Sequence, residues 1–163
     1  MDAVILFEEV QASGGRGGQK FLRGLAGVFA VALLVNLLWQ EGEVSGLTAF
    51  IFIAGAICLL GSILLAFRLI TQVRTDGIYV RYAPLQPRFV RYAWTDIREV
   101  YLRRYNPLAE YGGWGLRMGP RGGGYIVPGE WGIQLVMHNG HKILITTNQA
   151  EAVTEVLRKI GRL

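Results

Sequence analysis

One cysteine, two histidines and five prolines are all that 163 residues hold of these types, and each scarcity excludes something. Cys58 has no second cysteine to pair with, so no disulfide framework within the chain stabilises it. His138 and His141 flank Asn139 and Gly140 with no nearby cysteine or carboxylate to complete a ligand set, so this stretch reads as a turn and not as a metal site. Charge is missing from Leu47 to Phe67, and between Gly24 and Trp39 Asn36 is the one polar residue. Neither run contains an acidic residue or a histidine, which removes the proton relays and ion sites that pumps need. The glycine-rich stretches Gly112 to Gly115 and Gly119 to Gly124 fit neither the P-loop nor the dinucleotide spacing. Ser13, Ser45 and Ser62 fall in a linker, a loop and an apolar run, where none can act as a nucleophile. The expectation is a protein that is not an enzyme and carries no cofactor.

What is present is an apolar excess, 52% hydrophobic residues, beside a formal net charge of +5. The excess is concentrated between Phe21 and Ile70. Runs of this length read as two transmembrane helices, at about 21–39 and 47–69, joined by the short acidic connection Gln40–Ser45. Arg16, Lys20 and Arg23 before the first run and Arg68 and Arg74 after the second place both termini on the cytoplasmic side of a prokaryotic inner membrane. Small residues on both runs, Gly24, Gly27 and Ala30 against Ala54, Gly55 and Gly61, suit close helix packing, with Asn36 as an intramembrane polar contact. Three regions follow: an N-terminal segment and Gly-rich linker at 1–20, the two spans at 21–71, and a cytoplasmic domain at 72–163. The segment Val4–Val10 can form an edge strand or a short interfacial helix.

Beyond Arg74 the pattern shortens and alternates. Gly77–Ala83 and Arg88–Trp94 predict a β-hairpin around Pro84–Pro87, with further strands at 99–105, 114–118, 124–127, 132–138 and 141–147. Asn139-Gly140 predicts a type I′ turn, in which both central residues take positive φ. Asn148, with Glu151 three positions on, predicts the start of a closing amphipathic helix that buries Val153, Val156, Leu157 and Ile160. The expected fold is therefore an α+β membrane protein, with an N-terminal helical hairpin followed by an antiparallel β barrel or sandwich and one C-terminal helix.

The WTDI segment at Trp94–Ile97 among such strands resembles bacterial pleckstrin-homology-like domains, which are often fused to two membrane helices. More specifically, FEEVQ at 7–11, YNPLAEYGGWGLR at 105–117 and GEWGIQL at 129–135 resemble an uncharacterised family of small prokaryotic membrane proteins with such a domain. The resemblance covers nearly the whole chain. It implies fold and topology and carries no catalytic residues.

From Arg74 onward 13 Lys or Arg stand against 7 Asp or Glu. Such a balance suits contact with anionic membrane lipids through outward-facing Arg81, Arg88 and Arg91. It does not define a reading element for nucleic acid, because the arginines are spread over many strands. The segment with a purpose beyond packing is Tyr105–Arg117. Tyr111 and Trp114 stand among Gly112, Gly113 and Gly115, with Arg103, Arg104 and Arg117 close in sequence, a composition suited to a rigid aromatic contact with a protein partner. Trp114 can also plug the barrel while the glycines permit a bend, and the balance leans that way. Between the two readings of the whole chain, an accessory or scaffold subunit of a larger membrane complex stands ahead of an anionic-lipid sensor.

Overall fold

The structure, a computed structural model, describes residues 3–12, 24, 26–31, 33–34, 46–65, 67–119 and 122–163. The chain divides into two compact units, one formed by Met1–Gln11 with Arg68–Leu163 and the other by Ala12–Phe67.

In the second unit, residues 26–31 are helical and Gly46–Leu65 forms helix α1. The two meet where α1 has no side chain, because the Phe29 ring occupies the space a Cβ would take at Gly55. Among the described residues, no helix is long and apolar enough to cross a membrane. This corrects the expected α+β membrane fold with its N-terminal transmembrane hairpin, and with it the inner-membrane placement with cytoplasmic termini. The physical reason is legible at the second run, 47–69, which is not one element. Helix α1 stops at Leu65, and Arg68 to Ile70 already belong to a β-strand in which Leu69 is fully buried. The uncharged stretch thus belongs largely to helix α1, and the core strand starts at the charged Arg68. Of the first run, 21–39, residues 24, 26–31 and 33–34 are described and helical, and Asn36 lies outside the described residues.

The first unit holds two sheets. One has the order β1-β2-β3-β4, with β1 at Ile5–Ala12, β2 at Arg68–Arg74, β3 at Gly77–Ala83 and β4 at Val90–Ala93. β2 and β3 form a hairpin in register from Arg68↔Ala83 to Arg74↔Gly77. Along β3 the alternation of the sequence becomes an alternation of burial, with Ile78, Val80 and Tyr82 inside and Tyr79 and Arg81 on the other face. The second sheet has the order β5-β8-β9-β7-β6, with β5 at Ile97–Arg104, β6 at Gly115–Gly119, β7 at Gly122–Ile126, β8 at Trp131–Met137 and β9 at Lys142–Thr147. β9 lies between β8, antiparallel, and β7, parallel, and from Ile143 to Thr147 every residue is buried. A strand covered on both faces loses the period-2 signal, and KILITT has none.

Cross-strand pairs sort the two faces. Ile133↔Ile145 and Leu135↔Ile143 put their side chains on one face, and Gln134↔Leu144 on the other. On the latter face Leu144 packs with Ile126 and Tyr105, and Tyr111 lies against them. The closing helix α3, Ala150–Lys159, buries Val153 and Leu157; a short helix α2, Pro107–Tyr111, precedes β6.

Two local expectations are corrected. No non-glycine residue has positive φ among the described residues, so Asn139-Gly140 is not a type I′ turn. Gly140 alone is left-handed, at φ 83°, its N–H donates to the Met137 carbonyl at 2.9 Å, and the Met137 N–H donates to the His141 carbonyl. This is a type I turn closed by a glycine bulge. Nor does Asn148 cap α3. Gln149 holds that position without a side-chain cap, because the backbone at Asn148 is claimed by β1. The Asn148 N–H donates to Glu9 Oε1 at 2.9 Å and the Thr147 hydroxyl to Glu9 Oε2 at 2.7 Å, while the Gln11 amide donates to the Thr146 carbonyl at 2.6 Å. Glu9 and Gln11 are both buried, so the first strand of one sheet is clasped to the end of the central strand of the other.

Candidate functional site: the arm between β5 and β6

The segment from Tyr105 to Gly119 leaves the end of β5, makes one short helix and returns as β6. Asn106 precedes a proline, which is suited to the first helical position because its missing N–H needs no partner there. The Asn106 side-chain oxygen accepts from the N–H groups of Leu108 and Ala109, at 3.0 and 3.1 Å. Glu110 answers from the far side of the turn, its Oε1 accepting from the Asn106 N–H at 2.9 Å. Helix α2 ends on Gly112 in the left-handed region, φ 67° and ψ 24°, where a Cβ is costly. The Gly112 and Gly113 N–H groups then donate to the carbonyls of Leu108 and Pro107. Both ends of a five-residue helix are thereby satisfied.

Arg103 joins this arm to the sheet. Its guanidinium lies 2.7 Å from Glu110 Oε2, its Nε donates to Gln134 Oε1 at 3.0 Å, and a longer bond of 3.4 Å reaches the Tyr111 hydroxyl. The hydrogen bond from Arg103 holds the Glu110 carboxyl below the usual glutamate range, and the same bond pushes Arg103 up. Tyr111 stacks edge-on against Tyr105 with centroids 6.3 Å apart. Burial, first, raises both phenols above their ordinary values. The Tyr105 hydroxyl donates to the Val127 carbonyl at 3.0 Å and lies 2.9 Å from Thr146 Oγ1.

The residues singled out from sequence are thus distributed unequally. Arg103, Tyr111, Gly112 and Gly113 form the locked base of the arm. Arg117 reaches back to the Gly112 carbonyl at 3.4 Å, and Gly115 opens β6. Arg104 departs to the opposite face of β5, where it lies over the Trp131 ring at 5.2 Å, as adjacent residues of a strand must. Trp114 is not a barrel plug. It is 53% exposed, and Leu108 and Met118 on the same arm are 64% and 82% exposed. The ring that packs inward is Tyr111.

Asn106, Glu110, Leu108 and Met118 were not picked out by the sequence reading. The Asn-Pro pair with an acidic residue in the next turn is a helix-start signal that would have found the first two. Nothing in the sequence distinguishes the exposed Leu108 and Met118 from core residues.

A cavity of about 400 Å³ lies elsewhere, between α3 and the sheet, lined by Leu102, Trp131, Glu151, Thr154, Glu155 and Arg158 among others. Two of its polar groups are engaged with the helix itself, Glu155 lying 2.8 Å from Lys159 and the Thr154 hydroxyl donating to the Ala150 carbonyl. Among the described residues no group of three His, Cys, Asp or Glu could hold a metal ion. No family profile matches the chain, and no curated protein matches it either.

Proposed function

We propose that this chain is a non-enzymatic interaction module whose arm, Asn106–Gly119, binds another protein, as an accessory or scaffold component of a larger assembly. One observation carries the reading. Three large apolar side chains, Leu108, Trp114 and Met118, are exposed on a segment whose backbone is held at both helix ends and tied to the sheet by Arg103. Presenting a rigid tryptophan lowers the ordering cost of binding, and tryptophan is a frequent anchor of interfaces.

The basic face of the first sheet supports anionic-lipid sensing less well, because two of its guanidinium groups, those of Arg91 and Arg74, are already bonded within the protein. Arg91 pairs with Asp76 at 3.1 Å, and Arg74 donates to Gln72 and stacks over Tyr79 at 4.2 Å. Arg81 lies over Phe89 at 5.0 Å.

The test is affinity purification of the full chain, wild type beside Trp114→Ala, followed by quantitative mass spectrometry. A partner recovered by the wild type and depleted about tenfold or more by the variant, as for a loss of 1.4 kcal/mol or more, supports the reading. Identical recoveries from the two would defeat it.

A further inference from the structure

Strand β6 ends its sheet. It is hydrogen-bonded to β7 on one side, and among the described residues no strand pairs with its other side. An edge of this kind offers alternate N–H and C=O groups in the spacing of a strand. Natural edges are blunted with proline, lysine or inward-facing charge, but GLRMG contains one charged residue, Arg117. Three other strands end a sheet among the described residues, β1, β4 and β5; of these, β1 is built differently, since its Glu9 and Gln11 are spent on the clasp to β9.

The alternation along β6 sets out two faces. Within the strand Leu116 and Met118 share one parity and Arg117 the other, and Trp114 stands just before it, across the positive-φ Gly115. Trp114 and Met118 are exposed and Leu116 is partly so. Arg117 is exposed, and its one hydrogen bond, to the Gly112 carbonyl at 3.4 Å, is long. The edge therefore has a backbone template, an apolar stripe and a cation.

Resting on the reading of the arm as a protein-binding element, we infer that its partner binds by strand addition: an extended segment of another protein pairs with the free edge of β6. That segment places apolar side chains beside Trp114, Leu116 and Met118 and a carboxylate across from Arg117. Charge selects this occupant over a second copy of the chain. Two β6 strands paired antiparallel over their full length would set Arg117 directly opposite Arg117, and like charges in that position destabilise a pair. An acidic residue there gains the attraction that self-pairing forfeits.

The probe is a dye-labelled, end-capped peptide, Thr-Val-Glu-Val-Thr-Val-Thr, titrated with the full chain and followed by fluorescence anisotropy. Replacing its Glu by Lys should weaken binding about fivefold to tenfold, and Arg117→Glu in the protein should reverse that preference. N-methylation of one alternate set of peptide amides should abolish binding, and methylation of the other set should leave it intact, because only one set faces an antiparallel neighbour.

Absence of binding by the Glu peptide up to about 1 mM, equal tolerance of both methylation patterns, or a charge preference that Arg117→Glu does not reverse would each overturn strand addition. So would a dimer in sedimentation whose affinity rises on Arg117→Ala, since the edge would then belong to a second copy. Failure here while Trp114→Ala still depletes a partner leaves the arm a side-chain contact surface. Failure of both removes the interaction reading itself.

Discussion

The clasp at Glu9 and the arm at Asn106 are made from the same materials, a carboxylate and an amide side chain hydrogen-bonded to backbone groups, and they end in opposite states. At the clasp the polar groups are sealed. Glu9 and Gln11 are 3% and 4% exposed, and they close the unit by joining a strand of one sheet to the central strand of the other. At the arm, Asn106 and Glu110 satisfy a helix at the surface, and what they hold out is Leu108, Trp114 and Met118. Hydrogen bonding serves closure in one place and presentation in the other. The difference teaches where mutation should cost stability and where it should cost binding alone.

The widest effect should come where the two regions share a floor. Leu144 is fully buried beneath both Tyr105, which bonds toward Thr146, and Tyr111, which roots the arm. Leu144→Ala should lower stability by about 3 kcal/mol in urea titration and loosen the arm as well. A loss below about 1 kcal/mol would mean that the cluster collapses to refill the space and the two regions are less coupled than their contacts imply. Next is Glu9→Ala, which strands the Thr147 hydroxyl and the Asn148 N–H, at a cost of about 2 kcal/mol. Glu9→Gln keeps an acceptor and should cost less. Equal losses from the two variants would show that the charge, and not the accepting geometry, closes the clasp.

The β pattern after Arg74 was legible because alternation survives wherever one face of a strand meets solvent, as along Gly77–Ala83. β2 was not, since Leu69 and Ile70 follow the apolar run of α1 after a single arginine and read as its end, and a run of letters does not show where a helix yields to a strand. The clasp was hidden for another reason. Glu9 finds its partners at Thr147 and Asn148, and nothing local in FEEVQ distinguishes a buried carboxylate from a solvated one. At the arm, the glycines and rings were readable as a special segment, but the direction of each ring was not. Tyr111 and Trp114 look alike in the sequence, and it is the left-handed turn at Gly112 that sends one inward and the other out.

Smaller effects probe the arm itself. Asn106→Ala removes the acceptor for two helix N–H groups and should cost about 1 kcal/mol, visible in amide hydrogen exchange as faster exchange at Leu108 and Ala109 while the β9 amides keep their protection. Acidification acts on the same turn. Arg103 holds the Glu110 carboxyl below its ordinary value, so the folded arm favours the charged form. The stabilisation is complete above the ordinary glutamate value and is lost as the pH falls through the lower value Glu110 has in the folded arm. Protection of the Gly112 and Gly113 amides should decline across that interval in wild type and be flat in Glu110→Gln. A decline that persists in the variant would assign the acid sensitivity to another group.

The smallest change in stability should accompany the largest change in binding. Trp114 is more than half exposed, so Trp114→Ala removes little buried area and should shift the unfolding free energy by no more than about 0.5 kcal/mol. If Trp114 instead plugged the unit, the same truncation would cost about 3 kcal/mol or more, a difference that a single urea titration resolves. A near-zero loss sharpens the contrast with the clasp, because a large apolar ring is then kept in water by a scaffold of caps and an ion pair that would be as stable without it. Such a ring contributes its free energy only when another surface covers it. Measuring stability and partner recovery on this one variant therefore separates presentation from closure at a single side chain.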